Sequence, residues 1–136
     1  VAVIEQFMKL TQFLVVILAL GLLRADAGAQ IKLGAAEALT GNAAQYGAPI
    51  RRGLDLALGE INNAGGVNGE KITLLVEDEQ GRKEEAINVF KKLIFQDKVL
   101  MLFGPTLSNS AQASDPVAQG AKVVVFGTSN TADGIT

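Results

Sequence analysis

Residues 71–103 read KITLLVEDEQGRKEEAINVFKKLIFQDKVLMLF, and the fold class follows from this stretch. Residues 71–77 carry Ile72, Leu74, Leu75 and Val76 in a run of strand length, which ends in the acidic trio Glu77, Asp78 and Glu79. After the polar residues 78–83, Ala86, Ile87, Phe90, Leu93 and Ile94 recur at helical spacing and share one face. Glu84 and Glu85 near the start of that helix and Lys91 and Lys92 further on complement its dipole. Residues 99–103 are apolar at every position, as expected of a third strand buried on both faces. A strand, a helix and a strand in this order form a right-handed crossover between parallel strands.

The same alternation extends outward in both directions. Residues 31–36 predict a short apolar strand, residues 37–48 a loop, and Pro49 suits the first turn of a helix. Ile50, Leu54, Ala57, Leu58 and Ile61 give that helix its apolar face, which ends near Asn63. Gly65, Gly66 and Gly69 then reverse the chain. Downstream, residues 104–108 read as a loop and residues 109–119 as a weaker helix broken by Pro116. Residues 122–126 read as a fourth strand with a trailing loop at 127–130. The expected fold is α/β, a parallel-sheet sandwich with helices on both faces. Four strands leave one edge and one face thinly covered, so residues 30–136 are expected to be an incomplete first lobe.

Composition removes several chemistries from this chain. Its 136 residues hold no Cys and no His, which excludes disulfides, thiolate or imidazole metal sites and any His-based triad. Twelve basic against fourteen acidic side chains leave a net charge of −2, so there is no basic footprint for nucleic acid. The N-terminal residues differ in kind from the rest. Lys9 precedes an eleven-residue apolar run at 13–23, and Ala25, Ala27 and Ala29 follow Arg24. This is the layout of a secretory signal peptide, with Ala27 and Ala29 at the −3 and −1 positions before Gln30. Residues 1–7 precede the first Met and read as upstream sequence. Residues 1–29 are thus separate from the lobe, and export without cysteine fits a periplasm.

Ligands of parallel α/β sheets bind beyond the carboxyl ends of the strands. Those ends carry Thr40 and Tyr46 after the first strand and Glu77–Glu79 after the second. Thr106 and Ser108 follow the third, and Thr128, Ser129 and Asn130 the fourth. Hydroxyl and amide donors beside glycines suit a small anionic group such as a carboxylate. No base accompanies Ser108 or Thr128, so hydrolysis is not indicated. Neither a G-x-G-x-x-G nor a P-loop occurs, and the acidic trio reads as a solvated face rather than a Mg²⁺ site. The residues alone leave Ser108 open as a helix cap or a ligand donor, and Tyr46 as core or pocket wall.

Six short motifs in register resemble one family. Residues 31–34 (IKLG), Leu39-Thr40-Gly41 with Tyr46-Gly47, Glu60-Ile61-Asn62, residues 65–69 (GGVNG), Val76-Glu77-Asp78, and Phe103-Gly104-Pro105 with Ser108 and the 127–130 loop carry the likeness. They resemble the periplasmic substrate-binding proteins of branched-chain amino acid ABC transporters, over essentially all of residues 30–136. The resemblance implies the first lobe of a two-lobed type I periplasmic binding protein that closes on its ligand. It implies that Ser108, Thr128, Ser129 and Asn130 hold a ligand α-carboxylate and that Tyr46 walls its side chain. Thr128 and Asn130 depart from the residues often found there, which keeps a small amide open beside an amino acid. It further implies a non-enzymatic monomer without cofactor or metal, delivering its ligand to a membrane ABC permease. The alternative is the same fold as a sensor reporting to a membrane receptor; an exported hydrolase or nucleotide enzyme would lack both motif and base.

The export reading has a direct check. N-terminal sequencing of the secreted protein is expected to begin near Gln30, and a mature chain that retains Met8 would overturn it.

Overall fold

Strands and helices alternate through residues 30–135, which the computed structural model describes; the signal-peptide reading of residues 1–29 lies outside the described residues. The strands are β1 (Ile31–Glu37), β2 (Ile72–Asp78), β3 (Met101–Phe103) and β4 (Val124–Phe126). Between them run α1 (Ala44–Asn63), α2 (Lys83–Lys91) with a π-helical turn at Lys92–Gln96, and α3 (Ser108–Ala121). All pairings are parallel, in the order β2-β1-β3-β4. β1 and β2 pair along their whole length, from Ile31 opposite Ile72 to Glu37 opposite Asp78. β1 meets β3 only at Gly34–Leu102 and Ala35–Phe103.

This order fixes the layers. The β1-to-β2 step goes one way along the sheet, and the later steps go the other way. Right-handed crossovers then put α1 on one face and α2 with α3 on the opposite one. Side-chain alternation follows the same division. Ala36, Leu75, Leu102 and Val125 meet Val89, Phe90, Leu93, Ile94 and Ala118 in the main core. Leu33 and Ala35 are buried on the other face, beneath α1, which packs over β1 and β2 and contributes Leu58. Phe90 and Leu93 are wholly buried, each an apolar burial of about 1.5–3 kcal/mol. No helix among the described residues is long and apolar enough to cross a membrane.

Three sequence readings need correction. The loop expected at 37–48 is shorter, because α1 starts at Ala44 and Pro49 lies inside it rather than in its first turn. A proline removes only its own N–H, and the carbonyl it leaves free, on exposed Gln45, reaches water. Pro116 likewise does not break α3, which runs unbroken over Ser108–Ala121; the carbonyl released is that of exposed Gln112. The third strand is not buried on both faces. Met101 and Phe103 are half-buried, because nothing among the described residues covers that face of β3 and β4. Val124 and Phe126 are 66% and 61% exposed on this side, and the Phe103 and Phe126 rings meet edge-on at 6.0 Å.

A pair of substitutions tests this division of the chain. Phe90→Ala is expected to destabilise the protein by about 3–5 kcal/mol. Leu56→Ala, on the outer side of α1 and 67% exposed, should stay within about 0.5 kcal/mol. Urea denaturation measures both, and comparable losses would contradict the assigned core.

Candidate functional site

From β1 the chain passes to β2 on one side, and from β3 to β4 on the other. The loops after β1 and β3 therefore diverge and leave a crevice at the carboxyl end of the sheet. Glu37, the last residue of β1, lies at its base and is wholly buried. The Ala38 N–H donates to Thr106 Oγ1 at 2.9 Å, and the Thr106 hydroxyl donates to Glu37 Oε2 at 2.6 Å. The Thr128 hydroxyl donates to the same oxygen at 3.4 Å. Glu37 Oε1 has no hydrogen-bond partner among the described residues. Burial pushes the Glu37 carboxyl up to about 7, against the Thr106 and Thr128 hydroxyls and with a further push from Glu79.

Gly104 makes this approach possible. Its φ of +97° suits glycine, and a Cβ there would lie 2.1 Å from the Ala36 carbonyl oxygen. The Gly104–Pro105 peptide is cis, and the Gly104 N–H donates to the Phe126 carbonyl at 3.0 Å. The β3 loop is thereby fastened between the ends of β1 and β4.

The acidic trio is not a solvated face. Asp78 Oδ1 accepts the N–H groups of Leu39, Thr40 and Gln80 at 2.9, 3.2 and 2.9 Å, and Oδ2 accepts the Thr40 hydroxyl at 2.6 Å. Partial burial pushes Asp78 up, but these bonds, the Thr40 hydroxyl first, outweigh it and hold the carboxyl below its ordinary value. Glu79 is wholly buried and accepts the Ser110 hydroxyl at 3.1 Å. Burial raises its carboxyl, against the Ser110 hydroxyl and the Thr106 N–H, and with Asp78 adding to the rise. Glu77 pairs with Lys92. The chain folds this way because its acidic residues end a strand facing loops rich in N–H and hydroxyl donors.

Four of the five expected site residues come together. Ser108, the first residue of α3, does not cap that helix. Its Oγ accepts the N–H groups of Thr131 and Ala132 at 3.0 and 3.2 Å, which ties the β4 loop to the start of α3 and leaves its own O–H free to donate. Ser129 Oγ donates to the Thr106 carbonyl, and Asn130 Nδ2 to the Pro105 carbonyl at 3.0 Å. Their side-chain donors thus hold loop to loop, while Thr128 reaches Glu37. Tyr46 stands apart on the first turn of α1, 53% exposed, and no hydrogen bond among the described residues joins it to the other four. A groove of about 670 Å³ along the outer side of β4 includes Asn130 and Asp115 but neither Ser108 nor Thr128.

Sequence reasoning missed Glu37, Glu79 and Thr106 as the buried frame of the crevice. A single signal was available, namely the strand-end glutamates Glu37, Glu77 and Glu79 in a chain whose strand ends carry no Lys or Arg.

Comparison with known proteins bears on this geometry. A family model described as "Periplasmic binding protein" matches residues 30–136. The Leu/Ile/Val-binding protein homolog 7 of Brucella abortus (strain 2308) is 38% identical over 112 residues, covering 82% of this chain and 28% of that protein. The branched-chain amino acid transporter substrate binding protein LivJ from Streptococcus pneumoniae, solved in complex with isoleucine, is 34% identical with a TM-score of 0.77. It covers 79% of this chain and 31% of its own. A solute binding protein of an ABC transporter from Rhodopseudomonas palustris BisB5, in complex with 3,4-dihydroxy benzoic acid, is 25% identical with a TM-score of 0.72, over 78% of this chain and 29% of its own. The chain thus spans less than a third of the length of these proteins.

The buried carboxyl of Glu37 gives a pH signature. Its ordinary value of 4.5 rises to about 7 in the fold, so between the two the folded chain binds more protons than the unfolded one. This contribution to stability is whole below about pH 4.5 and is lost as pH rises through about 7. Relative to the wild type, Glu37→Gln should gain up to about 3 kcal/mol between those limits. Urea denaturation across pH measures the difference, and parallel curves for the two proteins would contradict it.

Proposed function

Because the chain belongs to the periplasmic binding protein family, we propose that it forms the first ligand-binding lobe of an exported solute-binding component of an ABC transporter. It captures an amino acid, branched-chain in the first instance, in the periplasm and delivers it to a membrane permease. The role is binding rather than catalysis. Isoleucine and 3,4-dihydroxybenzoic acid, the ligands named for two of the related structures, share a carboxylate. A lobe common to such proteins is therefore expected to hold that group.

The observation that carries the reading is the free hydroxyl of Ser108. Its oxygen is already engaged by two backbone N–H groups, so its hydrogen is available to an acceptor in the crevice. It lies beside the N-terminus of α3, where the helix dipole favours an anion. Thr128 adds a second hydroxyl from the facing loop, while Ser129 and Asn130 hold that loop in place. Tyr46, exposed at the start of α1, is the wall offered to the ligand's side chain. Closure of a second lobe over this surface is favoured only as far as ligand contacts prefer the closed state.

Ser108→Ala in the full-length protein removes one charge-assisted donor. L-leucine or L-isoleucine should then bind roughly ten- to a hundredfold more weakly, a loss of about 1.5–3 kcal/mol. Calorimetric titration beside a denaturation curve reads affinity and stability separately. Reduced stability with unchanged affinity would show that Ser108 only ties the β4 loop.

A further inference from the structure

Two hydroxyl hydrogens converge on one carboxylate oxygen at the base of the crevice. The Thr106 hydroxyl oxygen receives the Ala38 N–H, so its single hydrogen is committed to Glu37 Oε2. Thr128 also has one hydroxyl hydrogen, and it too is given to Glu37 Oε2, over a longer 3.4 Å. A ligand carboxylate held by the β4 loop would compete with Glu37 for that hydrogen. Around Glu37 stand Thr106 from the β3 loop, Thr128 from the β4 loop and Glu79 from beyond β2, with Asp78 acting in turn on Glu79. Among the described residues no Lys or Arg forms an ion pair with it. A second anion placed here would meet two buried carboxyls and no compensating cation.

We propose that a carboxylate ligand binds this lobe with net uptake of protons at Glu37, which makes Glu37 the positioning residue that releases the Thr128 hydroxyl to the ligand. The inference rests on the function proposed above. The proton comes from solvent and returns there on dissociation. It settles on Oε1, which is buried and receives no donor, while Oε2 keeps the Thr106 hydroxyl. Once Glu37 is neutral it holds the Thr128 hydrogen less strongly, and that hydrogen turns to the ligand. Burial already brings Glu37 to about 7, so a modest further push from the ligand's charge suffices near neutral pH. Linkage is reciprocal, and affinity for the anion therefore rises as pH falls.

The test is calorimetric titration of the full-length protein with L-leucine, which does not itself titrate near neutrality. At about pH 7, buffers of different ionisation enthalpy should give different heats that correspond to uptake of part of a proton per ligand. Affinity should fall up to about tenfold as pH rises from about 5.5 to 8.5, the effect of a one-unit displacement of one carboxyl. Glu37→Gln, whose amide oxygen can still accept from Thr106, should remove both effects. Equal heats in all buffers with pH-independent affinity would overturn the inference and leave the proposed function standing. So would a Glu37→Gln protein that keeps the wild-type pH dependence. Should that variant fail to fold, the two-buffer measurement on the wild type decides alone. If L-leucine, L-isoleucine and L-valine all fail to bind at any pH, the proposed function falls and the inference with it.

Discussion

The relay from the Ala38 N–H through the Thr106 hydroxyl to the Glu37 carboxyl is the interaction on which the crevice depends. Its bonds of 2.9 and 2.6 Å join parts of the chain 68 and 69 residues apart. The β3 loop is held against the end of β1 by this relay and by the close approach that Gly104 allows. The β4 loop is then held against the β3 loop through Ser129, Asn130 and Ser108. A buried carboxyl without a cation is costly unless hydroxyls or a proton compensate it. Here both are at hand, and this is why the crevice can keep an acidic residue at its base.

Glu37 and Asp78 show how far environment governs a carboxyl. They face each other in register at the ends of β1 and β2, yet they titrate in opposite directions. Asp78 lies near the surface and accepts four hydrogen bonds, three of them from backbone N–H groups, so its charge is favoured. Glu37 is sealed from water and accepts two hydroxyls, so its charge is disfavoured. Asp78 therefore fastens the β1 loop to β2 at any ordinary pH, while the hold of Glu37 on its loops varies with its proton.

The sheet and its helices were legible in the sequence because burial repeats with a period. Ala86, Phe90, Leu93 and Ile94 can share one face only on a helix, and the alternation of strand and helix leaves parallel pairing as the ready solution. The helix ends were less legible. Pro49 and Pro116 carry a local signal to start or stop, but the carbonyls they free lie at the surface, and helix packing overrides them. Ser108, Thr128, Ser129 and Asn130 could be gathered from strand order alone. The roles of Glu37, Glu79 and Thr106 could not. Nothing local distinguishes a glutamate that ends a strand in water from one that ends it under two loops, because its burial is set by residues nearly seventy positions away.

The pairing of the strands makes the sheet mechanically uneven. β1 and β2 are laced together over seven residues, whereas only two register pairs cross from β1 to β3. β3 and β4 pair over three positions, and a further backbone bond, from the Leu100 N–H to the Lys32 carbonyl at 2.8 Å, adds to the β1–β3 junction below the crevice. At the upper end of that junction the backbone ladder stops and side chains take over, so the Thr106 hydroxyl acts as a clasp between the end of β1 and the β3 loop. Moving the β3 loop against β1 therefore means breaking that clasp, while the layer of Ala36, Phe90, Leu93 and Leu102 behind it packs across both strands.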